Sequence, residues 1–495
     1  MKKTIKGTGR LYFLIFLLIF NLLSSSAQKG MTLEEALKVA ENNSPTMKKT
    51  RLNLVRSQEN LNAQNAALKS NFSLQINPIE YGQARAYYTN SGFNTTKEFQ
   101  SSGSFTIRQP VLFTDATISL SDNFSYNNLI LNEQFPTQEG VKFNNDLAVN
   151  LTQPLFTYNR TKLSLKELQL ELENAKLNYA IQLLSLEKQV TQAFYYVYQQ
   201  QQSLDIANQA YQNMQKSYEV SRNKVDAGLS AREEIFQAEL NLASSKSDYE
   251  NSLVSYENAK DDYKLMVGMS LYDDLLVLPN IKVDTVQIDI AFAIDQGLAN
   301  RMELRQQQIN IENSEFDLIR TKSINEFYGS LSLSFGINGN NEKLQDIYTD
   351  PKNNENVSLS LQIPLWDWGE RKSRIKASEA SIEVSRISLE EEQNDIIINI
   401  RKVYRNLNNL QNQIEIARQN VTNAQLTYDL NLEKYKNGDL TGMDLNIYQN
   451  QLSQKQLSYT NSLISYKLEL LNLKIQTLYD FEKKQPVTPV MTLEK

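Results

Sequence analysis

The feature that most constrains this chain is a stretch that occurs twice. From Val225 it reads V-D-A-G-L-S-A-R-E-E-I-F-Q-A-E-L and runs on to Y-E-N-S-L-V-S-Y at Tyr249–Tyr256. Displaced by 210 residues, it reads K-N-G-D-L-T-G-M-D-L-N-I-Y-Q-N-Q-L and runs on to Y-T-N-S-L-I-S-Y at Tyr459–Tyr466. Gly228 thus pairs with Gly438, Leu253 with Leu463 and Tyr256 with Tyr466. L-T-Q-P-L-F at Leu151–Phe156 and L-Q-I-P-L-W at Leu361–Trp366 keep the same offset, so Pro154 pairs with Pro364. Each copy has 74 residues from its Pro to its Gly. Loops drift in length, but packed helices do not. One inserted residue rotates every later side chain by about 100°. The chain therefore reads as two copies of one long unit rather than as the two or three ordinary domains its length would allow.

The chain has 495 residues and neither Cys nor His. That excludes disulfides, Cys-ligated zinc, His-based metal sites, His or Cys catalysis and a lipidated N-terminal Cys. No cofactor is implied. The net charge is −6, and residues 1–27 hold four basic residues and no acidic one, so a chain without them is near −10. Nucleic acid needs a basic face and is not an expected partner.

Residues 1–27 read as a signal peptide. Lys2, Lys3, Lys6 and Arg10 form its positive region, Leu11–Leu23 its apolar run, and Ser24 to Ala27 the small residues for cleavage. A membrane-anchoring helix is the alternative, but the run is short for a span of about 20 residues. No later segment is long enough either. If the protein sits in a membrane, strands must carry it.

Residues 28–270 form the first copy, 271–289 a linker with Pro279, 290–480 the second copy, and 481–495 a loose tail. Met31–Lys69 reads as a helix capped by Thr32 with Glu35, with an early break at Pro45. Ile290–Arg320 repeats it. Strands are expected over about 72–153 and 329–364. Leu331-Ser-Leu-Ser-Phe-Gly-Ile337 and Val357-Ser-Leu-Ser-Leu-Gln-Ile363 put apolar side chains on one face and Ser, Gly or Gln on the other. In a soluble sandwich the apolar face is core. In an outer-membrane barrel it meets lipid. Phe156, Tyr158, Trp366 and Trp368, just beyond the strands at Pro154 and Pro364, favour the membrane, because aromatic belts sit at its interface. Two strands in the second copy and two to four in the first are too few to close a single-chain barrel, which needs at least about 8. Several chains would have to share one.

The first copy is longer by about 46 residues before its Pro, all of them in the strand region. R-Q-P-V-L-F at Arg108–Phe113 echoes T-Q-P-L-F at Thr152–Phe156, as an extra hairpin or an extended external loop would require. Lys162–Val225 then runs without Pro or Gly, which is roughly 95 Å of helix. Gly228 breaks it and Arg232–Met266 returns. Arg371–Lys436, Gly438 and Met443–Leu478 do the same in the second copy. Leu445, Tyr448, Leu452, Tyr459, Leu463, Tyr466, Leu470 and Leu473 are spaced as a coiled-coil seam. The Tyr stripe reads as seam packing.

The duplicated order of helix, strands, Pro, long helix, Gly turn and return helix, with Y-x-x-G-x-x-x-x-x-D-L at Tyr435–Leu445, resembles the TolC-like outer membrane efflux proteins. The resemblance covers nearly all of the chain after residue 27. It implies a mixed membrane protein and a homotrimer. Its shared transmembrane β-barrel, of about four strands per chain or more, is continued by a long antiparallel α-helical coiled-coil barrel. It implies a passive duct from the periplasm through the outer membrane of a Gram-negative bacterium, in contact with outer membrane lipid. A periplasmic adaptor (membrane fusion) protein and an inner-membrane pump of RND or ABC type would open it. No enzyme chemistry is implied. The turns at Gly228, Leu229, Gly438 and Leu440 would meet the adaptor. By position, Asp444 matches an acidic ring of the closed tip, Tyr435 a linking Tyr, and Glu234 a linking Asp. The second ring position falls on Ile447 and the linking Arg position on Leu440. A gate here would therefore be weaker, or would use Arg232, Glu233 or Asp439. Read from its residues alone, Asp444 is a first-turn charge favoured by the helix dipole. The competing function is a secreted coiled-coil scaffold or adhesin without a pore.

Overall fold

The structure, a computed structural model, describes residues 29–88, 92–130, 140–282 and 286–487. The expected signal peptide, residues 1–27, and the last residues of the expected loose tail, 488–495, lie outside the described residues. The chain divides into two compact units. One comprises Asn53–Ala175 and Arg305–Glu390, and the other comprises Lys176–Leu304 with the two ends of the chain.

The first unit holds the sheet. Its strands are β2 (Asn71–Tyr88), β3 (Gly92–Val111), β4 (Ala116–Ile130), β5 (Gly140–Leu155), β7 (Tyr328–Asn341) and β8 (Lys352–Gln362). They pair in the order β2-β3-β4-β5-β7-β8, every pair antiparallel. Four of them lie in the first copy and two in the second, the upper end of the expected range, and the two beyond four form a hairpin, β2–β3, inside the same sheet.

The alternation that predicts the strands also sorts the two faces, because side chains of directly paired residues share a face. Phe72, Ile107, Leu120, Val149 and Phe335 follow one another across five strands. One step along, Ser73, Thr106, Ser121, Ala148 and Gly336 do the same. One face is therefore mostly aliphatic and aromatic, interrupted by Asp122, Asn145, Gln153 and Glu355, and the other is mostly Ser, Thr, Asn and Gly. The apolar face is not covered: Leu74 is 66% exposed, Phe335 55% and Val357 76%.

Outside the sheet the described chain is mostly helical. Thr32 caps α1 (Leu33–Asn43) in the expected capping box with Glu35. The break falls at Ser44, before α2 (Pro45–Ala67). The second copy breaks likewise at Arg301, between α5 (Ile290–Asn300) and α6 (Met302–Lys322). β1 (Lys29–Met31) pairs in parallel with β6 (Leu275–Val277), a short strand in the linker. The long helices are α3 (Arg160–Asp226) with α4 (Glu233–Val267), and α7 (Glu370–Asn437) with α8 (Gly442–Thr477). The seam on α8 is buried at Leu445, Leu452, Tyr466, Leu470 and Leu473, with Ile464 added. Polar links Gln199–Asn461 (2.8 Å), Asn213–Gln449 (2.8 Å) and Lys474–Glu187 (2.7 Å) join α3 to α8. Tyr249 stacks on Tyr211 at 6.0 Å, so this member of the Tyr stripe packs helix to helix. The tail is tied down as far as Val487: Gln485–Pro486 pairs with Tyr479–Asp480, and Val487 N–H donates to the Leu478 carbonyl.

Candidate functional site

The two turns share one backbone design. Gly228 N–H donates to Val225 O and Leu229 N–H to Lys224 O, while Gly438 N–H donates to Tyr435 O and Asp439 N–H to Lys434 O. This is the Schellman closure of a helix end, which places a residue in the left-handed region. The glycines sit there at φ +74° and +92°. A Cβ would meet nothing within 4 Å at either position, so backbone conformation and not space selects glycine.

The side chains around the turns differ. Tyr435 is 0% exposed. It packs with Tyr428, Leu445 and Leu452, with Val220, Leu440 and Tyr448 at the edge. Its hydroxyl donates to the Ser217 carbonyl at 2.9 Å. With its one proton spent there, it accepts from Ser221 Oγ at 2.7 Å. Lys224 Nζ lies 4.5 Å from the ring centroid and donates to the Tyr435 carbonyl at 2.5 Å. A cation from the end of α3 thus caps the negative end of α7. At an offset of 210 residues Val225 stands opposite Tyr435, and among the described residues the first turn has no such anchor.

Asp444 is half-buried at the start of α8. Its backbone N–H donates to Thr441 Oγ1 (3.2 Å), and its carboxylate accepts from the same hydroxyl (2.7 Å). It therefore completes an N-cap, as a first-turn acid should. Glu234 occupies the equivalent position on α4, half-buried, without a side-chain hydrogen bond or ion pair among the described residues. Leu440 packs into the Tyr435 cluster, whereas Leu229 (79%) and Ile447 (55%) are exposed. Arg232, Glu233 and Asp439 are exposed and make no side-chain pair among the described residues. The structure brings Tyr435 to Ser221 and Lys224, which the motif did not single out. Lys224 had one readable signal, its place four residues before the turn glycine.

The ends of the strands form a second constellation. Gln153 Nε2 donates to Pro154 O (2.7 Å) and Thr114 O (2.8 Å). Gln109 Nε2 donates to Pro110 O (2.7 Å) and Leu68 O (3.0 Å). The echo seen in the sequence is thus also an echo of local geometry. The β3–β4 turn braces the start of α3: Asp115 accepts from the N–H groups of Arg160 (3.2 Å) and Thr161 (3.1 Å), where a helix N-terminus favours a carboxylate. Phe156 lies 5.0 Å from Phe327, and Trp366 lies 5.6 Å edge-on to Trp368. Phe113, Phe156, Trp366 and Trp368 are exposed and Tyr158 is half-buried. Pro154 lies within β5 and Pro364 just past β8.

Among the described residues no group of three acidic side chains could hold a metal ion, and no helix is long and apolar enough to cross a membrane.

The family model for outer membrane efflux proteins matches residues 117–265 and 293–474. No curated protein matches the chain. Solved structures do. The Campylobacter jejuni CmeC outer membrane channel superposes with a TM-score of 0.68 at 12% identity, covering 93% of this chain and 87% of that one. VceC of Vibrio cholerae gives 0.64 at 13%, covering 91% and 95%. The open state of the Neisseria gonorrhoeae MtrE outer membrane channel gives 0.66 at 13%, covering 91% and 89%. At such identities these likenesses establish the fold, and the model match establishes the family. The chain belongs to the outer membrane efflux protein family.

Proposed function

We propose that this chain is the outer membrane channel of a tripartite efflux or export system. Three copies share one barrel and one helical duct, which substrates cross without chemistry. The observation that carries this reading is the two-faced sheet. Its apolar face is exposed on all six strands, and among the described residues neither edge strand, β2 or β8, has a second partner strand. From Phe156 up to Phe143, this face of β5 carries Leu155, Leu151, Val149, Leu147 and Phe143, with Gln153 and Asn145 between them, over about a dozen residues. At about 3.3 Å per residue and a tilt of about 40°, this spans about 30 Å, the thickness of a hydrocarbon layer. Aromatic residues bound it on both sides: Phe156, Trp366 and Trp368 at one, and Tyr81, Phe99, Tyr126 and Phe143 at the other. A secreted scaffold or adhesin would leave that band in water.

In this reading the turns at Gly228 and Gly438 form the periplasmic tip. The exposed Leu229, Phe236, Met443 and Ile447 are its adaptor-facing surface, and an RND or ABC pump supplies the energy. The Tyr435–Ser221–Lys224 anchor holds the second hairpin against α3 when the tip is closed. Asp444 supplies one carboxylate per copy near the axis, where three like charges attract cations. The test is the reversal potential of the purified channel in planar bilayers under a salt gradient. Asp444→Asn should shift it towards zero selectivity. An unchanged reversal potential removes Asp444 from the pore, and absence of any conductance removes the duct.

A further inference from the structure

The extra hairpin β2–β3 asks what wall it belongs to. It is built as wall. Phe72 pairs with Ile107, and that row continues in register through Leu120 and Val149, while the next row, Leu74 and Phe105, passes through Asp122 on β4 to Leu147 on β5. The opposite face continues equally, with Ser73 opposite Thr106 and Thr106 opposite Ser121. Leu74 is as exposed as the strand residues of the second copy, 66% against 58% for Leu359. A hairpin held in water would not keep an uncovered apolar face aligned with the rest. Its inner end repeats the β5 junction through Gln109 and Pro110, and the β3–β4 turn that follows it braces α3 through Asp115. The hairpin is thus seated at the same level as the other strands.

The edges then fall on β2 and β8. The sheet has six strands and is antiparallel throughout, so its two edge strands run in opposite directions. A copy placed beside it by rotation presents its β2 antiparallel to the first copy's β8. Only an even number of strands per copy closes a ring this way. Six strands fall short of the minimum of about 8, so the unpaired backbone groups on both edges demand a second copy.

We infer that β8 of one copy pairs with β2 of the next, so that each copy gives six strands and three copies close an eighteen-stranded barrel. This rests on the shared-duct reading above. Because barrel diameter grows roughly linearly with strand number, the bore is about 1.5 times that of a barrel given four strands per copy. The occupant of both edges is this chain itself.

The chain has no native cysteine, which makes disulfide mapping direct. Ser73→Cys on β2 is combined in turn with Asn356→Cys, Ser358→Cys and Ser360→Cys on β8, all on the polar face. Ser119→Cys on β4 is combined with the same three, and Ser119→Cys with Asn150→Cys serves as the paired-strand control. The protein is oxidised in outer-membrane fractions, and its particle mass is measured in detergent. The expected result is covalent trimers from at least one Ser73 combination and none from Ser119 with β8. Covalent trimers through Ser119 instead would mean four strands per copy with the first hairpin outside the wall, and would overturn the inference. A trimeric particle with a working control and no β2–β8 disulfide at any position overturns it too. A particle that is not trimeric overturns the shared-duct reading itself.

Discussion

The turn at Gly228 and the turn at Gly438 have the same hydrogen bonds and the same left-handed glycine, yet only one is anchored. At the second, Tyr435 is sealed beneath α3 by Ser221, the Ser217 carbonyl and Lys224. At the first, Val225 stands in its place, half-buried. The start of the return helix differs in the same sense. Thr441 caps α8, whereas the N-cap of α4, Arg232, makes no side-chain cap and Ala231 replaces the threonine. The two turns keep the same backbone solution, which depends on one glycine. The attachments, which depend on individual side chains, have diverged. A tip built from both hairpins would therefore open unequally, with the second hairpin tied and the first free.

The largest expected break in this comparison is Tyr435→Ala. Removing a fully buried ring from a packed cluster should cost about 3–5 kcal/mol of local stability. Val225→Ala should cost roughly 1 kcal/mol or less, since its side chain is only half-buried. Limited proteolysis at the two turns measures both. Equal sensitivity would mean that the anchor contributes nothing. Next come Gly228→Val and Gly438→Val, which force a β-branched residue into the left-handed region at about 1–2 kcal/mol or more. Both turns should suffer alike, because neither has a neighbour that a side chain would strike. An unequal loss in thermal unfolding would show that the turns are not equivalent in backbone. Thr441→Ala should remove about 1 kcal/mol by uncapping α8. The first hairpin has no such cap to lose. Smallest is Lys224→Met, about 0.5–1 kcal/mol from a lost helix-end charge. Lys434→Met, at the same position of the other copy but exposed, should be silent.

Much of this architecture is legible in the sequence, and for identifiable reasons. The long helices announce themselves by uninterrupted Leu, Gln, Glu and Lys, and they end within two residues of where Gly228 and Gly438 require. The seam from Leu445 to Leu473 is a spacing rule, and five of its eight residues are buried, while Tyr448, Tyr459 and Leu463 are half-buried. The strand count was less legible. Between the first copy's clear strands lie Ser- and Asn-rich stretches such as Asn94 to Ser104, whose alternation is polar on both faces. Their strand character comes from pairing with neighbours, which one segment cannot display. The R-Q-P-V-L-F echo is the available signal, and an external loop satisfies it as well as a hairpin does.

At the tip, Tyr435 and Asp444 were found by the motif, but their surroundings were not. Ser221 and Lys224 lie more than 200 residues from Tyr435, and nothing local marks a serine as the partner of a distant hydroxyl. Asp444 shows how one residue serves two readings. Its hydrogen bonds to Thr441 are those of a helix cap, and a capping carboxylate still carries the charge that a pore would feel.

The central claim is that several copies of this chain share one membrane-spanning duct. The most direct test is the mass of the detergent-solubilised protein from the outer-membrane fraction, by light scattering corrected for bound detergent. The account predicts three copies per particle, recovered only with detergent. A soluble monomer or dimer would contradict it, because the apolar face of the sheet would then be covered within the protein and no barrel would form.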